Sequence, residues 1–192
     1  MSDWQHRLRS DLQPILEQPD PRAEISAYHD MPYAIFRYEP DEELALREEV
    51  ALLASRLEAL GKRVTVISLA RCLAKALDRA GLSLERIEHA EKRTGVAKMV
   101  ETVHTILSRR VPLDALVADE IPANADPHRD VVFITRAGAL FPFYRTSSLL
   151  EQLKGKVVVP AVLFYPGCLD GAAGLRFMCI LDAEHNYRPK IF

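Results

Sequence analysis

Apolar residues follow two alternating spacings along this chain, one typical of helices and one typical of buried strands. Helical spacing marks residues 3–17, 40–60, 70–81 and 84–109, and a short helix is indicated at 148–153. Apolar, β-branched or aromatic runs predict strands at 33–38, 63–69, 131–135, 157–165 and 175–182. Alternation of these two kinds of element predicts an α/β fold with a mainly parallel sheet of about five strands flanked by helices.

Local signals set several boundaries of these elements. Gly61 and Gly81 follow helical runs and are predicted to end them at C′ positions with positive φ. Ser148 precedes Glu151 by three residues, a capping-box pattern that predicts a helix start. The glycine-rich loop between the last two strands is too short for a helical crossover, which predicts an antiparallel hairpin near the C-terminus.

The apolar runs also predict which side chains form the core. Nine residues are expected to be mostly buried on central strands: Val64, Val66, Ile67, Val132, Phe133, Ile134, Val162, Leu163 and Phe164.

Composition narrows the classes of protein to consider. The chain has 192 residues, which predicts one domain over residues 1–192 with the helix 3–17 packed on it. The net charge is −2, so direct DNA binding is not expected, because nucleic-acid-binding proteins usually carry a basic excess. Without an apolar run of about 18 residues or a signal-peptide core, a cytoplasmic protein with no membrane segment is expected. The three widely spaced cysteines are predicted to be reduced rather than to form a disulfide framework.

Sequence motifs for catalysis or cofactor binding are missing. The chain has neither a GxxxxGK[ST] phosphate loop nor a GxGxxG pattern, so a P-loop-like topology would lack its phosphate-binding motif. It also lacks HxxxH, CxxC and GxSxG spacings. We therefore expect no metal, no cofactor and no enzymatic activity.

The most unusual stretch, TRAGALFPFYRTSSLL (135–150), follows a predicted strand directly. Arg136 and Arg145 flank an aromatic cluster and precede a helix start, where two arginines could hold a phosphate or carboxylate. Two other interpretations stay open, internal ion pairs with a core aromatic cluster, or a protein-binding surface. The candidate residues for partner or anion binding are Arg136, Gly138, Phe141, Pro142, Phe143 and Arg145.

Several segments together resemble the BrxB family of bacterial BREX phage-defence systems. They include PYAIFRYEPDEELALREEV (32–50), GKRVTVISLARCLAKAL (61–77), VVFITRAGALFPFYRTSSLLEQL (131–153), VPAVLFYPG (159–167) and LRFMCILDAEHNYRPKIF (175–192). The most specific part is the combination of R-x-G-x-x-x-P-F-x-R-x-S, FYPG and the terminal NYR, which contains Tyr187 and Arg188.

The resemblance implies a role in restricting bacteriophage as a non-enzymatic component or adaptor, with PglZ, the alkaline-phosphatase-like BREX protein, as the first partner expected. It supplies no catalytic residues, and Arg136, Gly138, Pro142 and Arg145 carry over as motif positions without a role. Two alternatives remain, a degenerate nucleotide- or phosphoester-binding domain using the two arginines, and a weak DNA-binding accessory subunit.

Overall fold

The computed structural model describes residues 2–26, 32–171, 174–185, 187 and 189–192. Five strands form a parallel sheet in the order β2-β3-β4-β1-β6. They are β1 (Tyr33–Tyr38), β2 (Arg63–Ser68), β3 (Asp130–Thr135), β4 (Ala161–Asp170) and β6 (Lys190–Ile191). β5 (Gly174–Phe177) pairs antiparallel with the end of β4. The mainly parallel sheet and the hairpin are therefore confirmed, and β4 lies between β3 and β1.

Helices cover both faces of this sheet. One face carries α1 (Asp3–Arg7), the π-helical Leu8–Leu12, α2 (Gln13–Leu16), α3 (Arg22–Ile25) and α4 (Glu43–Ala59). The other carries α5 (Leu69–Arg79), α6 (Leu84–Thr94), α7 (Val96–Thr105), the π-helical Ile106–Arg110, α8 (Leu113–Asp119) and α9 (Thr146–Leu153). Short 3₁₀ turns lie at Pro40–Glu42 and Ala137–Leu140. None of the helices in the described ranges is long and apolar enough to cross a membrane.

Strand alternation divides the core into two clusters. In β3, Val131 and Phe133 face α4, while Val132 and Ile134 face the helices on the opposite side. Phe133 is fully buried with its ring edge against Phe164, the ring centroids lying 5.4 Å apart. Period-2 alternation in a sheet buried on both faces produces these two separate clusters.

The helix ends at Gly61 and Gly81 are confirmed, with φ of +85° and +70°. Gly61 donates its N–H to the carbonyl of Glu58, and Lys62 donates to Leu57, which closes the last turn of α4. The helix start at Ser148 is wrong, because α9 already begins at Thr146. The next strand is also shifted along the chain, since β4 begins after Pro160, which lacks an N–H to donate to a sheet.

The burial prediction holds for seven of its nine residues and fails for Val64 and Val66 of β2, whereas Ile67 of the same strand is fully buried. Val66 is 41% exposed and Val64 is only partly buried. The reason is that β2 lies at the edge of the sheet, and Val66 lines an open depression beside α4. An apolar run can indicate a strand, but it does not say whether the strand is central.

The cysteine prediction is also wrong in part. Cys168 and Cys179 are joined by a disulfide, with their Cα atoms 5.0 Å apart, whereas Cys72 is free and buried. Hairpin pairing places Cys168 opposite Arg176. The turn after β5 then brings Cys179 back beside Cys168. The pairing depends on this register, which sequence spacing alone does not reveal.

Candidate functional site: a groove and a pocket beside Arg136

Arg136 lies at the carboxyl end of β3, where ligands of open α/β sheets tend to bind. Its backbone adopts the left-handed conformation, with φ of 58° and ψ of 39°, and it precedes the 3₁₀ turn Ala137–Leu140. Left-handed residues other than glycine are uncommon, and they occur often at functional sites. The Arg136 side chain is exposed and makes no ion pair with any residue in the described part of the chain.

The larger depression beside this residue, called here the Arg136 groove, has a volume of about 450 Å³. It lies between α4 and the ends of β2 and β3. Its floor is apolar, formed in part by Leu46, Val50 and the exposed Val66. Its complete lining is Glu43, Leu46, Arg47, Val50, Ala51, Val66, Ser68, Arg71, Thr135 and Arg136.

Positive charge dominates the rim of the Arg136 groove. Arg47, Arg71 and Arg136 are all exposed, and none forms an ion pair within the residues that the structure describes. Arg71 donates to the carbonyl of Val66 at 3.2 Å. Glu43 accepts a hydrogen bond from the hydroxyl of Tyr38. The groove therefore combines an apolar floor with three guanidinium groups in a chain whose net charge is −2.

A smaller depression of about 200 Å³, the Met178 pocket, lies beside Arg136 and includes Glu43, which also lines the groove. It brings together two parts of the family-like sequence, R-x-G and FYPG. A Cβ on Gly138 would lie 3.3 Å from Met178 Sδ and 3.5 Å from Pro166 Cγ, so this glycine permits close packing. The full lining is Pro40, Glu43, Arg136, Gly138, Ala139, Pro166 and Met178.

The aromatic part of the candidate segment is mainly structural. Phe141 is partly buried and packs edge-on against Phe177, and Phe143 also packs on the core. The ring of Tyr144 is buried and stacks on His104 at a centroid distance of 5.6 Å. Pro142, which follows a cis peptide bond, is exposed. These aromatic rings therefore contribute mainly to the core.

Arg145 belongs to a different environment from Arg136. Its guanidinium forms a 2.8 Å ion pair with Glu184, whose second carboxylate oxygen accepts the Tyr187 hydroxyl at 2.9 Å. The hydroxyl oxygens of Thr146 and Tyr187 are 3.1 Å apart. Burial raises the pKa of Tyr187 to about 12, so this hydroxyl stays protonated and can donate. The network fastens the C-terminal segment to the start of α9.

The six sequence candidates thus separate into three environments. Arg136 and Gly138 line the depressions, the Phe141–Phe143 stretch packs at the edge of the core, and Arg145 is held by Glu184. Asn186 and Arg188 of the NYR motif lie outside the described residues. Sequence reasoning missed Arg47 and Arg71, because their convergence depends on β2 being an edge strand. Val66 of β2 is exposed, but the apolar run around it predicts a buried strand, so the sequence did not indicate a groove there.

Comparison with known proteins gives one consistent result. The family model described as "BREX protein BrxB" matches residues 65–191, more than half of the chain. A curated protein of Bacillus cereus (strain H3081.97), also named BREX protein BrxB, is 28% identical over 158 residues. That alignment covers 81% of this chain and 80% of the relative. No solved structure matches the chain.

Proposed function

Since the chain belongs to the BrxB family of BREX proteins, we propose that it acts in BREX phage defence as a non-enzymatic component that binds another protein of the system. The observation that carries this proposal is the Arg136 groove, whose arginine rim surrounds an apolar floor. PglZ is the partner that we would test first.

The groove has the chemistry of a protein-binding surface. Arginine is enriched among the residues that dominate binding energy at interfaces, and apolar contacts at the centre exclude water from charged pairs. A partner segment that places apolar side chains over Val66 and acidic ones near Arg47, Arg71 and Arg136 would complement both features. Electrostatic complementarity of this kind contributes specificity and a faster association rate.

The connection from β1 to α4 supports a role other than nucleotide binding. In a P-loop, glycine-rich backbone at this position cradles phosphate at a helix N-terminus. Here the same connection is Glu39-Pro40-Asp41-Glu42, and Glu43 follows at the start of α4. A phosphate at this helix end would meet several carboxylates, which repel it.

Co-purification tests the proposal directly. Tagged chain is expressed with untagged PglZ of the same system, and capture is measured for the unmodified chain, Arg47→Glu, Arg136→Glu and the double variant. We expect progressive loss of capture, because reversed charges repel the acidic partner. Arg93→Glu is the matched control, since Arg93 is an exposed arginine on α6.

The co-purification has three distinguishable outcomes. Capture of PglZ that falls in the two groove variants but not in Arg93→Glu supports it, provided that thermal melts show all variants folded. If a different BREX protein is captured and its capture also falls in the Arg47 and Arg136 variants, the groove remains the proposed binding surface and that protein replaces PglZ as the proposed partner. No association with any protein of the system would contradict the proposal.

The arginine rim gives one reason to test the nucleotide alternative as well. Calorimetric titration with ATP, GTP and short oligonucleotides measures nucleotide binding directly, whether or not a reaction follows. We expect no heat of binding at millimolar nucleotide. Saturable binding that Arg136→Glu removes would favour the phosphate-binding alternative over the adaptor.

A further inference from the structure

Glu39, Cys168 and Cys179 converge near the carboxyl end of β1, from three separate segments of the chain. Glu39 Oε2 lies 3.4 Å from the sulfur of Cys168 and 3.8 Å from the sulfur of Cys179. In the disulfide form neither sulfur carries a proton, so neither contact is a hydrogen bond. We propose that the reduced form of this cluster binds a zinc-class divalent cation through both thiolates and the carboxylate of Glu39.

The spacing of the three ligand atoms suits a tetrahedral zinc site. Zinc binds thiolate sulfur at about 2.3 Å and carboxylate oxygen at about 2.0–2.2 Å. A tetrahedral angle between two such bonds separates sulfur from oxygen by roughly 3.5 Å. The observed distances of 3.4 Å and 3.8 Å lie on either side of this value. Once the S–S bond is broken, the two sulfurs can separate to roughly 3.8 Å, the distance between two sulfur ligands of a tetrahedral zinc ion.

Charge around the cluster is suited to a bound dication. Two thiolates and one carboxylate together carry more negative charge than a single divalent cation neutralises. Arg37 supplies the remaining positive charge, because its guanidinium contacts the other carboxylate oxygen of Glu39. It also donates to the carbonyl of Gly167 at 3.4 Å, which ties it to β4. Such outer contacts orient a ligand and tune metal affinity.

The backbone places Cys179 in this cluster by an uncommon route. Met178 and Cys179 both have positive φ, 54° and 58°, although neither is glycine. Conformations of this kind persist where the surrounding structure determines them, and they are frequent at binding sites. Within the described residues no further histidine, cysteine or acid joins the three ligands. Water therefore takes the fourth position in the proposed site.

Metal binding is coupled to the redox state and to pH. A dithiol reductant delivers two electrons and two protons to the S–S bond, which gives two thiols, and the reductant itself becomes a disulfide. Zinc then displaces a proton from each thiol as it binds. Zinc affinity should consequently decrease as pH falls, and oxidation of the pair should release the ion.

The test uses the full chain, reduced with dithiothreitol, stripped of metal with a chelator and handled without oxygen. Thiols are counted with a chromogenic reagent, and zinc is titrated against a competing chromophoric chelator. The variants are Cys168→Ser, Glu39→Gln and, as the matched control, Cys72→Ala. Burial raises the pKa of the Cys72 thiol to about 11, so Cys72 is a poor ligand, and it lies outside the cluster.

We expect one zinc ion per reduced chain and none per oxidised chain, with Cys72→Ala unchanged. Glu39→Gln should weaken binding by at least roughly 10-fold and Cys168→Ser by more, since both are direct ligands and loss of an outer-shell partner alone costs about 10–100-fold. Cobalt substitution should give thiolate-to-metal charge-transfer absorption in the unmodified chain, weaker in Cys168→Ser.

Three results would overturn the proposal. One is a pair that stays oxidised in dithiothreitol while the chain is folded, which would make it a permanent disulfide. The second is a fully reduced chain that binds no zinc. The third is equal zinc affinity in the unmodified chain and Cys168→Ser. Glu39→Gln keeps the test valid if the serine variant does not fold, because the Glu39 side chain is half exposed.

Discussion

Replacement of Arg136 by glycine should make the protein more stable while it weakens partner capture. Arg136 has φ of 58° and ψ of 39°, a conformation that costs a residue with a Cβ about 1–2 kcal/mol. Glycine adopts it freely but loses about 0.5–1 kcal/mol more conformational entropy on folding. Since Arg136 has no ion pair to lose among the described residues, the net gain in unfolding free energy should be about 0.5–1 kcal/mol.

Thermal unfolding measured by circular dichroism tests this expectation. For a chain of this length, such a gain corresponds to a rise in Tm of roughly 1–4 °C. Arg136→Ala is the control, because it removes the guanidinium and keeps the Cβ, so its Tm should stay near that of the unmodified chain. Both variants should lose PglZ capture equally. If Arg136→Gly melts no higher than Arg136→Ala, the argument from backbone strain is refuted.

Three further predictions concern stability. Phe133→Ala should destabilise by about 3–5 kcal/mol, whereas Val66→Ala should cost much less because Val66 is 41% exposed; chemical denaturation compares the two. Gly61→Ala should cost about 1 kcal/mol through positive φ alone, since its Cβ would meet no atom within 4 Å; an unchanged melt would contradict this. Arg145→Ala should cost less than about 1 kcal/mol, and so should Glu184→Gln, because the ion pair is partly exposed; a larger loss in denaturant titration would reveal a buried structural role for Arg145.

Local sequence signals predicted the elements of this fold well, for physical reasons that can be named. Gly61 ends α4 because a left-handed residue completes the last turn, and glycine adopts that conformation without strain. The run 131–135 is buried on both faces, as continuous apolar runs in parallel sheets usually are. Ser148 shows the limit of such signals, since its capping pattern is present but α9 begins at Thr146 with Arg145 as its cap residue.

The candidate site was harder to predict, because it depends on which strand lies at the edge of the sheet. Val66 belongs to a run that resembles a central strand, yet β2 has a neighbour on one side only. That arrangement exposes Val66 and leaves space for Arg47 and Arg71, which are 24 residues apart in the chain, to face the same groove as Arg136.

Motif order likewise conceals how the two arginines of the candidate segment differ. Arg136 and Arg145 are nine positions apart in one motif, and the sequence alone favours a structural role for Arg136, next to the strand end, and a surface role for Arg145. The 3₁₀ turn and the cis Phe141–Pro142 bond lie between them, and Arg145 pairs with Glu184, from the segment after β5. Arg145 therefore contributes to holding the C-terminal segment against α9, whereas Arg136 remains available to a partner. Two arginines of one motif can thus lie in different environments, and only their three-dimensional neighbours distinguish them.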